Sequence, residues 1–369
     1  MSDIESPLRV LHVLYELMPS GMERMLHCTF DLWHEHKITP ILLATGPNIG
    51  IFADELTRIG YQVLHLPFAT DRHQRQAFRK LLIDQRIDVL HIHTERGVQL
   101  MVWDARRAGV KTIVKTHHSI FKYSGMLRLR RAFERWFCAR LGCRFISLGK
   151  SVQDNERHLY SSPSVVIPNW FDERRFPART ESDYTTVRTR LNLAPDVFCV
   201  VTVGNCSTIK NHELLLEALA LLPQHVNWRY LHIGKERSPE PERALAHNLG
   251  IAERVSFLGP QSNPEDYIQG CDVHVTTSLL EGFGIAAVEA MSIGCMVCLT
   301  DVPGLRDFSS AIPGLVYTPL NAQVLAEKLT TLARMSPAAR HEIGHNLHQS
   351  VQVFSRCVGV KQYVQQYRT

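Results

Sequence analysis

Nothing in this sequence reads as a segment for export or for crossing a membrane. A secretory leader needs a basic start followed by an unbroken apolar run, but Asp3 and Glu5 come first, and His12 and Glu16 interrupt Leu8 to Met18. No apolar stretch reaches the roughly 18 charge-free residues of a spanning helix. Low-complexity tracts are absent too. There is no disulfide framework: the nine cysteines are odd in number and scattered, a pattern of reduced thiols in the cytoplasm. The one C-x-x-C spacing, Cys295 and Cys298, sits in the apolar run from Gly294 to Thr300 and reads as small core residues of a buried strand. An excess of one charge is also missing. A formal charge of +5 and a pI near 8.7 are too mild for a nucleic-acid surface, so no nucleic-acid partner is expected.

What is present is the composition of a folded protein, 45% hydrophobic and 21% charged over 369 residues, long enough for two domains of ordinary size. Short runs rich in β-branched residues alternate with longer helical patterns throughout, the mark of βαβ units and parallel sheets. In the first half, strands are expected near Arg9–Tyr15, Ile38–Ala44, Gln62–Leu66, Val89–His91, Thr112–Lys115, Arg144–Ser147 and Ser164–Ile167. In the second they are expected near Phe198–Val203, Trp228–Ile233, Arg254–Phe257, Val273–Thr276, Met296–Thr300 and Leu315–Tyr317. Between the two sets, Pro168 to Pro195 is rich in charge and turn residues and lacks an apolar period, so it is the expected linker. The reading is an α/β protein of two Rossmann-like, doubly wound domains facing each other across a cleft. Residues 1–177 form the first domain and 178–350 the second, with 351–369 a terminal helix packing back on the first.

Charge is unevenly spread. Lys122, Arg128, Arg130, Arg131, Arg135, Arg140 and Arg144 face the single acid Glu134, interleaved with Leu127, Leu129, Phe133, Trp136 and Phe137. This is a basic amphipathic pattern of the kind that lies on anionic membrane surfaces.

The strongest chemical signal follows a predicted strand and opens a helix: Ser278-Leu-Leu-Glu281-Gly282-Phe283-Gly284-Ile-Ala-Ala-Val-Glu289, continuing to Gly294. Carboxylates in the turn and two turns into the helix can accept from paired sugar hydroxyls, and the glycines let backbone N–H groups approach a ligand. The block resembles the Glu-x7-Glu signature of the family 4 retaining glycosyltransferases, which have the GT-B fold. That resemblance implies a contact from Glu281 to the transferred sugar and from Glu289 to the nucleotide ribose. A second block, Val203-Gly204-Asn205-Cys-Ser-Thr-Ile-Lys210, matches the family's diphosphate loop. Lys210 stands at the expected lysine, whereas Asn205 stands where an arginine is usual. One missing cation costs a diphosphate clamp on the order of 1–3 kcal/mol.

Weaker matches extend the resemblance to almost the whole chain: Pro19-Ser-Gly21-Met-Glu23, Asp88-Val-Leu-His91-Ile-His93, Lys115-Thr-His117-His118 and Pro168-Asn169-Trp170-Phe171-Asp172, with Trp170 in place of glycine. Asp301-Val-Pro-Gly304-Leu-Arg-Asp307 resembles the family's glycine-to-acid turn. By the same comparison Gly21 belongs to a loop over the diphosphate, and His117 contacts the donor sugar near the reacting centre. The catalytic set implied is His117, Lys210 and Glu281; the donor-binding set is Gly21, Gly204, Asn205, Lys210, Gly282, Phe283, Gly284 and Glu289.

The implied activity is transfer of a hexose from a UDP- or GDP-type sugar to a hydroxyl of a glycan or lipid-linked acceptor, with retention, in surface polysaccharide or glycolipid synthesis. No Asp-x-Asp pair occurs, so the carboxylates that would anchor a diphosphate-bridging metal are not written. A metal-independent, cofactor-free reaction is expected, at the cytoplasmic face of a membrane. Three alternatives stand beside it: a non-catalytic relative marked by Ser20, Asn205 and Trp170, a metal-dependent hydrolase using His91, His93 and His117, and a sugar-nucleotide epimerase.

Overall fold

The computed structural model describes residues 6–68 and 71–369. Contacts divide the chain into two compact units: unit 1 runs up to Trp170 and takes in Arg356–Thr369, and unit 2 is Phe171–Ser355. Unit 1 carries strands β1 (Leu8–Leu14), β2 (Ile38–Ala44), β3 (Gln62–His65), β4 (Val89–Ile92), β5 (Thr112–His117), β6 (Cys143–Ser147) and β7 (Val165–Val166). They form one sheet in the order β3-β2-β1-β4-β5-β6-β7, parallel throughout. Unit 2 carries β8 (Phe198–Val203), β9 (Trp228–Ile233), β10 (Val255–Phe257), β11 (Val273–Thr276), β12 (Met296–Thr300) and β13 (Val316–Thr318), ordered β10-β9-β8-β11-β12-β13 and again parallel.

Parallel strands need crossover helices on both faces, so their side chains are buried on both sides and read as unbroken apolar runs. β1 illustrates it. Val10 and Leu14 enter one core cluster with Trp33, Leu42 and Tyr363, while Leu11 and Val13 enter another with Ile41, Leu43 and Phe78. In each sheet the chain starts at the centre, winds to one edge and returns to wind the other way. The reversal falls between β1 and β4 in unit 1 and between β8 and β11 in unit 2. Crevices for ligands open at such points, beyond the carboxyl ends of the strands.

The unit boundary lies at Trp170 rather than at 177. Phe171 donates its N–H to the Phe354 carbonyl at 3.2 Å and bridges Ser355, the Phe176 carbonyl accepts from Ser292 Oγ, and Arg175 pairs with Glu265 at 2.7 Å. Residues 171–177 are thereby tied into unit 2. Chain order also gives way at the other end: residues up to Ser355 count with unit 2, and only the helix Arg356–Arg368 counts with unit 1. There Arg356 pairs with Asp31 at 2.7 Å and Tyr367 meets His91 Nδ1 at 2.7 Å. Trp170 explains itself here. It is 1% exposed, donates Nε1–H to the Met25 carbonyl at 3.1 Å, and packs on Gly359 so closely that a Cβ there would lie 2.0 Å from its ring.

The expected linker contains a helix, Glu181–Arg190, which no apolar period announces. Its signal is a capping box between Thr180 and Asp183, and Arg188 anchors it by reaching the carbonyls of Ala194 and Val197, each at 2.6 Å. The basic segment forms the helix Gly125–Arg140. Not all its cations face solvent: Arg135 is buried against Glu156, Arg131 pairs with Glu134 at 2.7 Å, and Arg144 donates to the Gln366 carbonyl at 2.8 Å. Lys122, Arg128, Arg130 and Arg140 remain exposed, beside a helical stripe of Met126, Leu129, Phe133 and Trp136 at 80, 64, 62 and 57% exposure.

Candidate active site

Two loops leave the reversal point of unit 2, one after β8 and one after β11, and the sequence-predicted residues of both meet there. Lys210 Nζ lies 2.6 Å from Glu281 Oε1, and Ser278 Oγ donates to the same oxygen at 2.7 Å. The loops are stitched together by the Leu279 N–H on the Ile209 carbonyl at 2.8 Å and by Thr277 Oγ1 on the Lys210 carbonyl at 3.2 Å. The side chains are partly open, 33% for Lys210 and 13% for Glu281. The ammonium is open enough for an incoming phosphate to take it, which leaves the carboxylate to accept from a hydroxyl.

Glycines shape the backbone around this pair. Gly304 has φ +89°, and a Cβ there would fall 2.1 Å from the Glu281 carbonyl oxygen; the Pro303 carbonyl accepts from the Glu281 N–H. Gly284, at φ +84°, caps the helix Ile285–Ile293, whose first N–H groups carry partial positive charge suited to an anion. Gly204 adjoins the Lys210 stem: a Cβ at Gly204 would be 3.7 Å from Lys210 Cε. Gly282 is half-buried in the same turn. Phe283 contributes backbone only, since its buried ring packs on Phe308 and Phe354.

Asn205 has a local role in place of the arginine. Its Oδ1 accepts the Lys235 N–H at 2.9 Å, and the Lys235 carbonyl accepts from the Cys206 N–H at 2.8 Å, locking the loop after β8 to the one after β9. Glu289 is half-buried on the helix Ile285–Ile293. Its charge acts on Arg175, whose own partner is Glu265.

At the reversal point of unit 1 Gly21 opens the helix Gly21–His27, and Ser20 bonds the buried carboxylate of Glu23. Burial pushes the Glu23 carboxyl up. Imidazoles fill the strand ends. His12 Nδ1 meets His93 Nε2 at 3.1 Å, and His93 Nδ1 meets His118 Nε2 at 2.9 Å. His91 spends one ring nitrogen on Tyr367 and the other on Thr116.

Among the described residues of unit 1, the trio whose ligand atoms come close enough to share an ion is His12, His91 and His93, without His117. Alternation along β5 puts His117 on the opposite face, 1% exposed, with Nδ1 3.6 Å from Glu95 and Nε2 3.4 Å from Glu156. Burial lowers its pKa against the pull of those carboxylates. Lys115, two residues earlier and 1% exposed, forms a 2.6 Å ion pair with Glu95. Sequence reasoning missed this Glu95–Lys115–Glu156–Arg135 network; a lysine inside a strand pattern was its only signal. His118, half-buried, is the neighbour with open surface.

Comparison with known proteins follows the same division. The model of glycosyl transferases group 1 matches residues 183–349, and that of glycosyltransferase family 4 matches residues 19–175. An Escherichia coli UDP-Gal:alpha-D-GlcNAc-diphosphoundecaprenol alpha-1,3-galactosyltransferase is 26% identical over 82% of each chain. A glycosyltransferase structure from Rickettsia africae superposes with a TM-score of 0.85 at 17% identity over 98% of both chains. An Anabaena protein in complex with UDP and glucose gives 0.80 at 19% identity over 97% of this chain and 98% of its own.

Proposed function

The chain belongs to the group 1, family 4 glycosyltransferases of GT-B fold, and from that premise we propose a transfer from a nucleoside diphosphate hexose, of UDP or GDP type, to a hydroxyl of a glycan or lipid-linked acceptor with retention of configuration. The observation that carries the proposal is the Lys210–Glu281 pair, 2.6 Å apart at the reversal point of a parallel sheet. Support for the donor class comes from the UDP-sugar named for the Escherichia coli relative and the UDP held by the Anabaena protein. The diphosphoundecaprenol in the relative's name supports a lipid-linked acceptor and a place in surface polysaccharide synthesis.

In this reading Lys210 leaves Glu281 for the diphosphate, and the N–H groups of Asn205 and of the Gly284-capped helix take the rest of its charge, while Gly204, whose own N–H is held by the Ile233 carbonyl at 2.8 Å, keeps the loop slim beside the Lys210 stem. Charge grows on the leaving nucleoside diphosphate as the glycosidic bond breaks, and fixed donors aimed at it lower the barrier without a bridging metal. Glu281, released from Lys210, accepts from a hydroxyl of the transferred sugar, and Glu289 from the ribose. Gly21 lies in the loop over the diphosphate. His117 is proposed to act at the donor sugar through the strand end it shares with the more open His118. A thermal-shift panel of UDP- and GDP-sugars tests the donor: a binder at a hundred times its Kd stabilises by about 2.7 kcal/mol. Glu281→Gln should retain the fold and reduce turnover with that donor about 10- to 100-fold, as expected for one charged hydrogen bond; unchanged turnover would remove Glu281 from the mechanism.

The exposed stripe Met126–Leu129–Phe133–Trp136, flanked by Lys122, Arg128, Arg130 and Arg140, supports docking on an anionic membrane at the cytoplasmic face, where a lipid-linked acceptor resides. Apolar side chains would enter the headgroup boundary while the cations pair with lipid phosphates. The protein should sediment with phosphatidylglycerol vesicles at low salt, less at high salt, and not after Phe133→Ser with Trp136→Ser. Sedimentation unaffected by that double change would place the contact elsewhere.

A further inference from the structure

Beside the Gly204 loop, unit 2 gathers a second group of reactive side chains. Cys206 follows β8, His212 opens the helix His212–Ala220, and His232 lies in β9; one ligand atom from each falls within 4.8 Å of the other two. Their exposures are 7, 5 and 0%. Cys206 Sγ is 3.4 Å from His232 Nε2, which is 3.1 Å from the Gly204 carbonyl oxygen. Both ring nitrogens of His212 and Nδ1 of His232 are without a hydrogen-bond partner. The Glu242 carboxylate borders the thiol; it is 1% exposed, gives Oε1 to Arg237 Nε at 2.9 Å, and leaves Oε2 unpartnered. Buried polar atoms nearly always find partners. Unmet atoms on three neighbouring side chains around one thiol are what a missing cation would leave.

We propose that Cys206, His212 and His232 bind one zinc ion that clamps β8, β9 and the helix His212–Ala220 together, with the Glu242 carboxylate as the source of a fourth ligand. A thiolate and two imidazoles suit zinc, and tetrahedral bonds of about 2.3 Å to sulfur and 2.0 Å to nitrogen set those atoms roughly 3.5 Å apart. The 3.4 Å between Cys206 Sγ and His232 Nε2 matches that edge. A neutral imidazole offers one ring nitrogen's lone pair to a metal, and the ring nitrogens left without a partner on His212 and His232 are available for it. The Cys206 thiol gives its proton to solvent as the sulfur–zinc bond forms. If Nε2 is the ligand from His232, its proton moves to Nδ1, and one proton is released per ion. The histidine trio of unit 1 makes a poorer site, because His91 and His93 already use both ring nitrogens. The ion assigned here is structural and separate from any diphosphate-bridging metal, whose ligands would be oxygens.

Metal analysis and cobalt titration of the full chain, purified without chelator, test the assignment. The expected result is one zinc per chain, release of one proton per ion on reloading at pH 7, and a cobalt form with the sulfur charge-transfer band of a tetrahedral thiolate site. Zinc content and band should be lost in Cys206→Ser and in His212→Asn and kept in His12→Asn. Folded wild-type protein that takes up neither zinc nor cobalt overturns the proposal. So does binding that survives Cys206→Ser, or that is lost only in His12→Asn. If Cys206→Ser fails to fold, the wild-type cobalt spectrum decides, since a spectrum without the sulfur band excludes a cysteine ligand.

Discussion

At Glu281 the side chain is aimed by its backbone, and the backbone is aimed by a glycine more than twenty positions later in the chain. Any Cβ at Gly304 would sit 2.1 Å from the Glu281 carbonyl oxygen, at φ +89°. Gly304→Ala therefore has two costs: left-handed backbone for a residue with a Cβ, about 1–2 kcal/mol, and displacement of the turn that carries Glu281. Urea unfolding should give a lower midpoint, and donor affinity should fall more than the stability loss alone explains; a variant that binds donor as the wild type does would show that the turn is not what aims Glu281. Residue identity by itself was an uneven guide. Lys210 and Glu281 were legible as a pair because each sits in a long, specific block. Asn205 and Trp170 read as marks of lost chemistry, yet the first ties two loops through Lys235 and the second fills the space over Gly359. No local pattern could reveal those partners, which lie 30 and 189 positions away along the sequence.

At the scale of elements, the strands were legible nearly to the residue, because a strand buried on both faces must be written as an apolar run whatever surrounds it. The helix Glu181–Arg190 was not, since its stability comes from a capping box and from the buried Arg188 rather than from an apolar stripe. The terminal helix Arg356–Arg368 had a visible period, but its site on unit 1 depends on Gly359, Tyr363 and Tyr367 meeting Trp170 and His91. Trp170→Gly, which restores the residue usual in the family, should open a cavity there and destabilise unit 1 by about 3–5 kcal/mol. Chemical unfolding followed by Trp33 fluorescence measures it, and a loss below about 1 kcal/mol would mean that the helix is held by other contacts.

For the whole molecule, buried imidazoles make stability depend on pH. Burial lowers His12 and His274 to about 3, whereas in the unfolded chain they titrate near 6.5. Between those values the unfolded state binds more protons, so stability that is complete above pH 6.5 declines as pH falls toward 3, by up to about 1.4 kcal/mol per pH unit for each ring. The urea midpoint should be level from pH 7 to 8 and fall steadily below 6.5, with a shallower fall in His12→Asn with His274→Asn; a level midpoint down to pH 5 would show that these rings are not held neutral. Sequence blocks marked the Lys210–Glu281 cluster because each loop at the reversal point of unit 2 carries its polar side chains and glycines within a few consecutive residues. The imidazole and carboxylate groups of unit 1 come from several strands and helices, so only the fold brings them together. The central claim, that a nucleoside diphosphate lies against Lys210 at the reversal point of unit 2, is tested most directly by calorimetric titration of UDP and GDP into the wild type and Lys210→Ala. The tighter nucleotide should bind the wild type and lose about 10- to 100-fold in affinity in the variant, as expected for a charge-assisted hydrogen bond; equal affinity in the two proteins would contradict the account.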